Sequence, residues 1–271
     1  MRILIATNGS PPSDLAVRLG AYIQQETKAE AILLTVVHRQ QERKKASAIL
    51  STAESLLRSL GAKAEKKIRV GVAASEILQE ARKGNYDLIV IGDHAKGGFH
   101  LPLMAPTTEK VIAKKPCPVL IARGDSDPLR RVLLCEAGRD PSLLQRLRVR
   151  SPILLESFEE LTVLHVMSQI PASPGVEDWE LEADADELIE RHTPEGKLLE
   201  EDMNLLQHTS LKPGAKVRHG LVVESILEEA KGGDYSLVVI GAHQSEGWER
   251  YFLDDLAHEI VRKLDRPVLV V

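Results

Sequence analysis

Residues 86–122, YDLIVIGDHAKGGFHLPLMAPTTEKVIAKKPCPVLIA, contain the pattern that decides the fold. The unbroken apolar run at 88–91 is typical of a strand that is buried on both faces. The run ends at Gly92, a glycine-bearing loop follows, and residues 107–115 have a helical pattern that the tripeptide PCP ends. A second apolar run at 119–122 completes a βαβ unit. This unit predicts a parallel sheet with a ligand crevice at the carboxyl ends of its strands.

The rest of the chain predicts two copies of one α/β domain. Residues 1–124 have strand and helix patterns in the order β-α-β-α-β-α-β-α-β. RILI at 2–5 then returns as RVLL at an offset of 129, and from Gly71 onward the matching residues lie at an offset of 149. Two copies of this length indicate two whole domains. We therefore predict domains at 1–124 and 130–271, joined by a polar, turn-rich linker.

The change of offset indicates an insertion in the second copy at about 170–200, which is acidic and contains prolines. The simplest interpretation is a solvated acidic loop with a short helix. Two alternatives stay open, a docking surface for a basic partner and a flap over the second crevice with Trp179 as its anchor. The basic run at 38–45 is interpreted as a solvated helix start, with a self-association contact as its alternative.

Composition excludes several classes of protein. The net charge is −5 and aromatic residues are 3% of the chain, which argues against nucleic acid as a partner. No apolar run approaches the ~20 residues of a membrane span, and no signal peptide is evident, so we expect a cytoplasmic protein without a membrane partner. Cys117 and Cys135 are expected to be buried thiols, because two cysteines do not make a disulfide framework.

The combination of repeated motifs resembles the universal stress protein family. The resemblance rests on LTVLHV at 161–166, LVVIGAH at 237–243 and RPVLVV at 266–271, with G-x-H-x(3)-G after the fourth strand of each copy. It implies two tandem Rossmann-like (adenine nucleotide alpha hydrolase-like) α/β domains. Each would be a five-stranded parallel sheet with helices on both faces. It also implies an intramolecular pseudo-dimer, in which the strand from Pro118 to Ala122 pairs with the strand from Pro267 to Val271.

Nucleotide-binding members of this family carry G-x(2)-G-x(9)-G-[ST] after strand four and an acidic residue after strand one. Glycines let the backbone approach phosphates, and the N–H groups hold the negative charge. In the first copy, Ala95 and Ala105 replace the second and third glycines, proline replaces the hydroxyl residue, and Asn8 replaces the acidic residue. The lost donors are expected to weaken triphosphate binding about a hundredfold or more. The candidate nucleotide-binding positions are Thr7, Asn8, Gly9, Val36, Gly92, His94, Ala95, Gly98 and Ala105.

The second copy departs further from the nucleotide-binding pattern. Asp254 and Asp255 stand where the third glycine and the hydroxyl residue would be, and carboxylates repel phosphate. Ala137 replaces the acidic residue after the first strand. We expect this site to be unable to bind ATP, and we expect the two aspartates to begin a helix. The degenerate site comprises Ala137, Gly241, His243, Gln244, Gly247, Asp254 and Asp255.

The sequence offers little for catalysis or for a metal. His94 recurs as His243, but no nucleophile lies beside either, and no metal-ligand spacing is present. We therefore expect a non-catalytic stress-response regulatory or interaction module with degenerate nucleotide sites, an unknown protein partner and no certain cofactor. The alternative is a sensor that binds AMP, ADP or ATP through the first domain. Whether the protein also forms a homodimer stays open.

Overall fold

The structure is a computed structural model of the 271-residue chain. It describes residues 1–93, 107–124, 129–168, 179, 182–242 and 255–271.

The first half of the chain alternates strands and helices as the sequence predicts. Its elements are β1 (Arg2–Ala6), α1 (Pro11–Thr27), β2 (Glu30–Val37), a 3-10 turn (Gln40–Glu42), α2 (Arg43–Ser59), β3 (Glu65–Val70), α3 (Ala73–Lys83), β4 (Leu88–Gly92), α4 (Thr107–Ala113) and β5 (Val119–Ala122).

The second half repeats this order with additional helices. Its elements are β6 (Arg131–Glu136), α5 (Leu143–Arg150), α6 (Pro152–Glu156), β7 (Glu160–Met167), α7 (Ala185–Glu190), α8 (Pro194–Leu206), β8 (Lys212–His219), α9 (Val222–Gly232), β9 (Leu237–Ile240), α10 (Asp255–Lys263) and β10 (Val268–Val270).

The first of two compact units contains the described residues up to 124 and Asp265–Val270. Its strands are ordered β3-β2-β1-β4-β5-β10. β1 to β5 are parallel, while β10 runs antiparallel to β5, with Leu269 opposite Leu120. α1 packs against β1, β4 and β5, whereas α3 packs against β2 and α4. The expected doubly covered parallel sheet is therefore present, and the pairing of the two final strands is confirmed.

The second unit contains the described residues of 129–242 and 255–264, together with Val271. Its strands β9-β6-β7-β8 are parallel. The backbone of Val271 continues along β9, because its N–H donates to Ile240 and its carbonyl accepts from Ala242, both at 3.0 Å. α8 packs against β7 and β8, and α9 packs against β7 and α10. The unit thus repeats the arrangement of the first.

Prolines decide where the first helix of each unit begins and where it breaks. The sequence offers Ser13 as a helix cap before an apolar helical pattern, but α1 begins after Ser10, because Pro11 suits a first helical position whose N–H would be unpaired anyway. In the second unit the equivalent helix is divided into α5 and α6. Pro152 cannot donate the N–H that a continuous helix needs, so the chain breaks at Ser151 and a new turn begins there.

The described part of the insertion is helical and docks through backbone contacts. A Cβ atom on Gly196 would overlap the carbonyl oxygen of Leu188, so α7 and α8 approach each other closely. The Nε2 atom of His219 at the end of β8 lies 2.8 Å from the carbonyl oxygen of Ala183 and holds the segment just before α7 in place. The guanidinium of Arg191 lies 3.8 Å from the centre of the Trp179 ring.

Glu80 and Tyr86 recur in the second copy at the offset of 149, and in each unit this glutamate and this tyrosine belong to a buried ion network. The carboxylate of Glu80 accepts hydrogen bonds from Lys67 Nζ at 2.7 Å, Arg69 at 3.0 Å and the Tyr86 hydroxyl at 3.0 Å. Burial raises the pKa of Glu80, but these donors outweigh it and hold the pKa below its ordinary value. Glu229 has the same contacts with Lys216, Arg218 and Tyr235 in the second unit.

We expect Tyr86→Phe to lower the free energy of unfolding by about 1–2 kcal/mol and Tyr235→Phe to lower it by at least as much. Each removes a hydrogen bond to a buried carboxylate that keeps its other donors, and Tyr235→Phe also removes a hydrogen bond with the Thr162 side chain. Urea denaturation followed by circular dichroism measures the loss. Arg58→Ala, which removes an exposed pair with Glu54, is the control and should cost less than about 0.5 kcal/mol. Losses no larger than the control would contradict a stabilising role for the hydroxyl groups.

Candidate functional site

Part of the predicted nucleotide site lies outside the described residues. This applies to His94, Ala95, Gly98 and Ala105 of the first copy and to His243, Gln244, Gly247 and Asp254 of the second. Asp255 is described as the first residue of α10, which agrees with the expected helix start. The described part of the site consists of the residues at the ends of the strands.

The described candidate residues of the first unit lie at the carboxyl ends of three adjacent strands. β1 pairs with β2 on one side and with β4 on the other. Thr7 and Asn8 follow β1, Val36 lies near the end of β2, and Gly92 is the last residue of β4. The structure thus brings these residues to one edge of the sheet, where parallel α/β sheets bind their ligands.

The loop after β1 satisfies most of its own hydrogen bonds, although the buried Oγ atom of Ser10 has no partner among the described residues. The hydroxyl oxygens of Thr7 and Ser13 lie 3.1 Å apart, and the side-chain oxygen of Asn8 accepts from the N–H of Ser10 at 3.0 Å. Gly9 has a φ of 76°, a left-handed conformation that glycine adopts without strain. The one polar side chain that remains exposed in this turn is that of Asn8, and its oxygen already has a partner within the loop.

Gly92 is required by a backbone contact. A Cβ atom at this position would overlap the carbonyl oxygen of Pro12 and lie 2.7 Å from the backbone nitrogen of Ser13. The end of β4 therefore lies directly against the first turn of α1. Its counterpart Gly241 is placed differently, because a Cβ atom there would meet Nη2 of Arg146 at 2.5 Å.

In the second unit, a buried carboxylate fills the turn after β6. Glu136 is only 5% exposed, and it stands where the first unit has Thr7. One carboxylate oxygen accepts from the N–H groups of Ala137 and Gly138, at 2.9 and 3.1 Å, and the other accepts from Leu143 at 2.6 Å. The turn and the start of α5 would favour an anion, and the chain supplies that anion itself.

A second buried carboxylate lies close to the first. Asp202 on α8 is fully buried, whereas the equivalent residue of the first unit is Ala53. One of its oxygens accepts from the Ser142 hydroxyl at 2.8 Å, and the other has no hydrogen-bond partner among the described residues. Burial raises the pKa of Asp202 to about 7, the charges of Glu136 and Glu201 add to the shift, and the Ser142 hydrogen bond opposes it.

A cavity of about 440 Å³ opens beside this turn. It lies between the start of α5, the end of β7 and the start of α8, and it is lined by charged as well as apolar side chains. His165 of β7 lines it in the position that Val36 holds in the first unit. The Nδ1 atom of His165 lies 3.2 Å from the carbonyl oxygen of Glu136, so that nitrogen carries the proton.

The functional residues that sequence reasoning missed all belong to the second unit. They are Glu136, Asp202, Arg146 and His165. Aligning the copies at offsets of 129 and 149 would have found them, because each replaces an uncharged residue of the first copy. The sequence pattern alone hides Asp202 in the acidic run Glu200-Glu201-Asp202, which is typical of a solvated helix face.

The described ranges contain neither a metal-ion cluster nor a membrane-spanning helix. Within them, no group of three or more His, Cys, Asp or Glu side chains is arranged to hold a metal ion. The helices described here include none that is both long and apolar enough to cross a bilayer. Cys117 and Cys135 are buried and form no disulfide, as expected.

Comparison with known proteins identifies the family. Residues 1–123 and 153–271 match the model of the universal stress protein family. Universal stress protein MJ0531 of Methanocaldococcus jannaschii is 28% identical over 138 residues, which cover 45% of this chain and 81% of that protein. Universal stress protein YxiE of Bacillus subtilis is 26% identical over 145 residues, 45% of this chain and 98% of its own length.

A crystal structure of a universal stress protein from Archaeoglobus fulgidus has the same fold over the whole chain. It superposes with a TM-score of 0.73 at 18% identity and covers 99% of this chain and 97% of its own. The repeat, the fold and the two matched segments agree. The chain therefore belongs to the universal stress protein family and carries the family's domain twice.

Proposed function

We propose that this protein is a non-catalytic regulatory and interaction module of the stress response, with degenerate nucleotide sites in both units. The proposal rests on the hydrogen bonds made by the turn after the first strand of each unit. In both units, polar side chains of this turn already bond to the chain itself, those of Thr7 and Asn8 in the first unit and that of Glu136 in the second. A nucleotide would have to compete with these bonds for the same groups.

The second unit supports the proposal more strongly than the first. Ala137 has no polar side-chain group that could accept a bond from a ribose hydroxyl. Glu136 already satisfies three N–H groups of the turn, and a second anion beside its carboxylate would be repelled. Glu136 therefore gives a second reason, besides Asp254 and Asp255, to expect that this unit does not bind a triphosphate.

A regulatory module without chemistry of its own acts through a protein partner, and we propose that such a partner exists. The exposed acidic side chains of the insertion, among them Glu182, Asp184 and Asp186, support a partner with a basic surface. A homodimer that joins this surface to the exposed basic run at 38–45 of a second copy is the form of self-association that the charges support.

The alternative function is an adenine-nucleotide sensor that uses the first unit. Its supporting observation is that Thr7, Val36 and Gly92 lie at the ends of adjacent strands. The Asn8 side chain is exposed there and its amide N–H groups can still donate to a ribose or a phosphate. AMP, ADP or adenosine suits this site better than ATP, because the residues lost from the motif would hold the terminal phosphate.

Calorimetric titration with ATP, ADP and AMP separates the two functions. For the regulatory module we expect no saturable binding of any of the three at micromolar concentration. Micromolar AMP or ADP binding that Asn8→Ala weakens at least tenfold would instead establish the sensor. Saturable ATP binding would contradict the expectation that the first site has lost its contacts to the terminal phosphate. Steady ATP turnover by the purified protein would contradict a non-catalytic role.

A further inference from the structure

Two large apolar side chains lie exposed and close together on the second unit. Val149 near the end of α5 is 81% exposed, and Ile153 in α6 is 39% exposed, only four residues further along the chain. The buried sides of the same helices are already covered, because Leu147 of α5 and Leu154 of α6 have no exposed surface. Single apolar residues are common on protein surfaces, whereas neighbouring ones that the core does not need are typical of an interaction site.

The first helix of the first unit has a polar surface instead. The exposed residues of α1 are Pro11, Arg18, Gln25 and Glu26, so its outer side is polar beyond the proline with which it begins. The second half of α1 continues as one helix and is packed against the sheet, whereas the second unit has the break between α5 and α6 here. The exposed apolar pair therefore distinguishes the second unit from the first.

Positive charges surround the apolar pair. Arg148 and Arg150 precede and follow Val149 in the chain, and both are exposed. We call residues 148–153 the basic apolar surface. The next exposed carboxylate along the chain is Glu156, at the end of α6. Because the chain as a whole has a net charge of −5, this surface is opposite in sign to the protein that carries it.

The outer side of α7 in the insertion has the complementary character. Asp186, Ile189 and Glu190 are spaced by three and four residues, so they share one face of the helix. Both acidic residues are exposed and Ile189 is half-buried. The ion pair on α7 joins Glu187 to Arg191, and neither Asp186 nor Glu190 belongs to an ion pair within the described ranges. We call this the acidic face of α7.

The apolar residues make the basic apolar surface a better match to this face than the basic run at 38–45. That run, HRQQERKK, contains no apolar residue. Contacts between exposed charges alone contribute little to binding, and salt screens them. Stable interfaces have an apolar centre within a polar rim. The basic apolar surface and the acidic face of α7 can supply both.

We propose that the chain forms a homodimer through its second unit, in which the basic apolar surface of each copy binds the acidic face of α7 in the other copy. Because both surfaces belong to one unit, a single two-fold axis can make the contact twice. The inference rests on the proposed docking role of the insertion and names a second copy as the partner. Nucleotide titration tests the degenerate sites and sedimentation tests the dimer, so the two proposals can fail independently.

Sedimentation velocity of the full chain, over a range of protein concentrations and at low and high salt, measures the association. We expect a dimer at micromolar concentration in low salt and weaker association in high salt. Val149→Asp should weaken the dimer at least tenfold, because it places a carboxylate at the apolar centre, facing the acidic face of α7. Val72→Asp is the matched control, since Val72 is an apolar residue of the first unit that is 58% exposed. It should associate as wild type does.

A charge exchange tests which two surfaces meet. Arg148→Glu combined with Arg150→Glu makes the basic apolar surface acidic, and Asp186→Lys combined with Glu190→Lys makes the face of α7 basic. We expect each double variant to be monomeric, because like charges then face each other in its dimer. An equimolar mixture of the two should form a dimer again, because both contacts between unlike copies are complementary.

The basic run provides the control for this exchange. Lys44→Glu combined with Lys45→Glu changes the net charge as much as the arginine double variant does, at exposed positions of 38–45. It should dimerise as wild type does, and circular dichroism checks that every variant is folded. The proposal is overturned if wild type stays monomeric, if Val149→Asp associates as well as Val72→Asp, or if the mixture stays monomeric. Loss of the dimer in the lysine double variant alone would assign the contact to the basic run instead.

Discussion

Asp202→Asn is expected to remove a pH-dependent destabilisation of the second unit that amounts to about 4 kcal/mol above pH 7. The carboxyl group is fully buried between α8 and the turn after β6, and it has a single hydrogen bond. Its pKa of about 7 in the folded chain compares with an ordinary value of 3.8. That difference corresponds to about 4 kcal/mol, since one pKa unit is about 1.4 kcal/mol.

The sign follows from which state binds the proton. Between about pH 4 and pH 7 the folded chain keeps a proton on Asp202 that the unfolded chain has lost. The contribution of this group to the free energy of unfolding is therefore intact below pH 4, falls as the pH rises to 7, and stays low above it. Asparagine keeps an oxygen that can accept from Ser142 but has no charge at any pH, so the variant lacks this slope.

Urea unfolding followed by tryptophan fluorescence, at intervals from pH 4 to pH 8, measures the effect. Trp179 lies in the insertion that continues into α8, and it reports on this part of the second unit. We expect wild type and Asp202→Asn to be similar at pH 4 and to differ by about 4 kcal/mol at pH 8. Glu190→Gln, which removes an exposed carboxylate of α7, is the control and should retain the wild-type slope. A difference that does not change with pH would show that Asp202 is ionised throughout.

Gly92→Ala is expected to destabilise the first unit by about 3 kcal/mol or more. The new methyl group would occupy the space of the Pro12 carbonyl oxygen and would crowd the nitrogen of Ser13. These are backbone atoms of the first turn of α1, so the clash is relieved only if the helix moves away from β4. That movement would loosen a buried contact, since α1 packs along β1, β4 and β5.

Gly241→Ala is the matched control for this substitution. The added methyl group there meets the end of the Arg146 side chain, which can rotate away, so we expect a loss of less than about 1 kcal/mol. Thermal unfolding of both variants followed by circular dichroism gives the comparison. Equal losses in the two variants would contradict the backbone contact as the reason for Gly92.

The repeated architecture could be predicted because its signals are local and occur twice. Apolar runs such as 88–91 and 119–122 indicated buried strands, and all residues of both runs are buried. The recurrence of Glu80 as Glu229 and of Tyr86 as Tyr235 indicates duplication, but only the structure shows that these residues form an ion network. The start of α1 is harder to predict, because Ser13 suits a helix cap while the two prolines before it suit the first turn better.

The interior of the second site could not be predicted from one-dimensional patterns. Charged residues are normally exposed, so the pattern gave no reason to place Glu136 or Asp202 inside the protein. Their burial depends on how α5, α8 and β6 meet, and that depends on contacts between residues about 60 positions apart, such as Ser142 with Asp202. The sequence also does not distinguish the two equivalent glycines, although Gly92 lies against backbone atoms and Gly241 lies against a side chain.

The place of β10 has a consequence for how the protein is made. This strand completes the sheet of the first unit, yet it lies about 146 residues after β5, which it pairs with. A ribosome adding 5–20 residues per second needs roughly seven to thirty seconds for that length. During this interval, the apolar residues of β5 form an open sheet edge on a nascent chain whose other four strands are already available. A cell that makes this protein must keep that edge from pairing with a neighbouring nascent chain until β10 has been made.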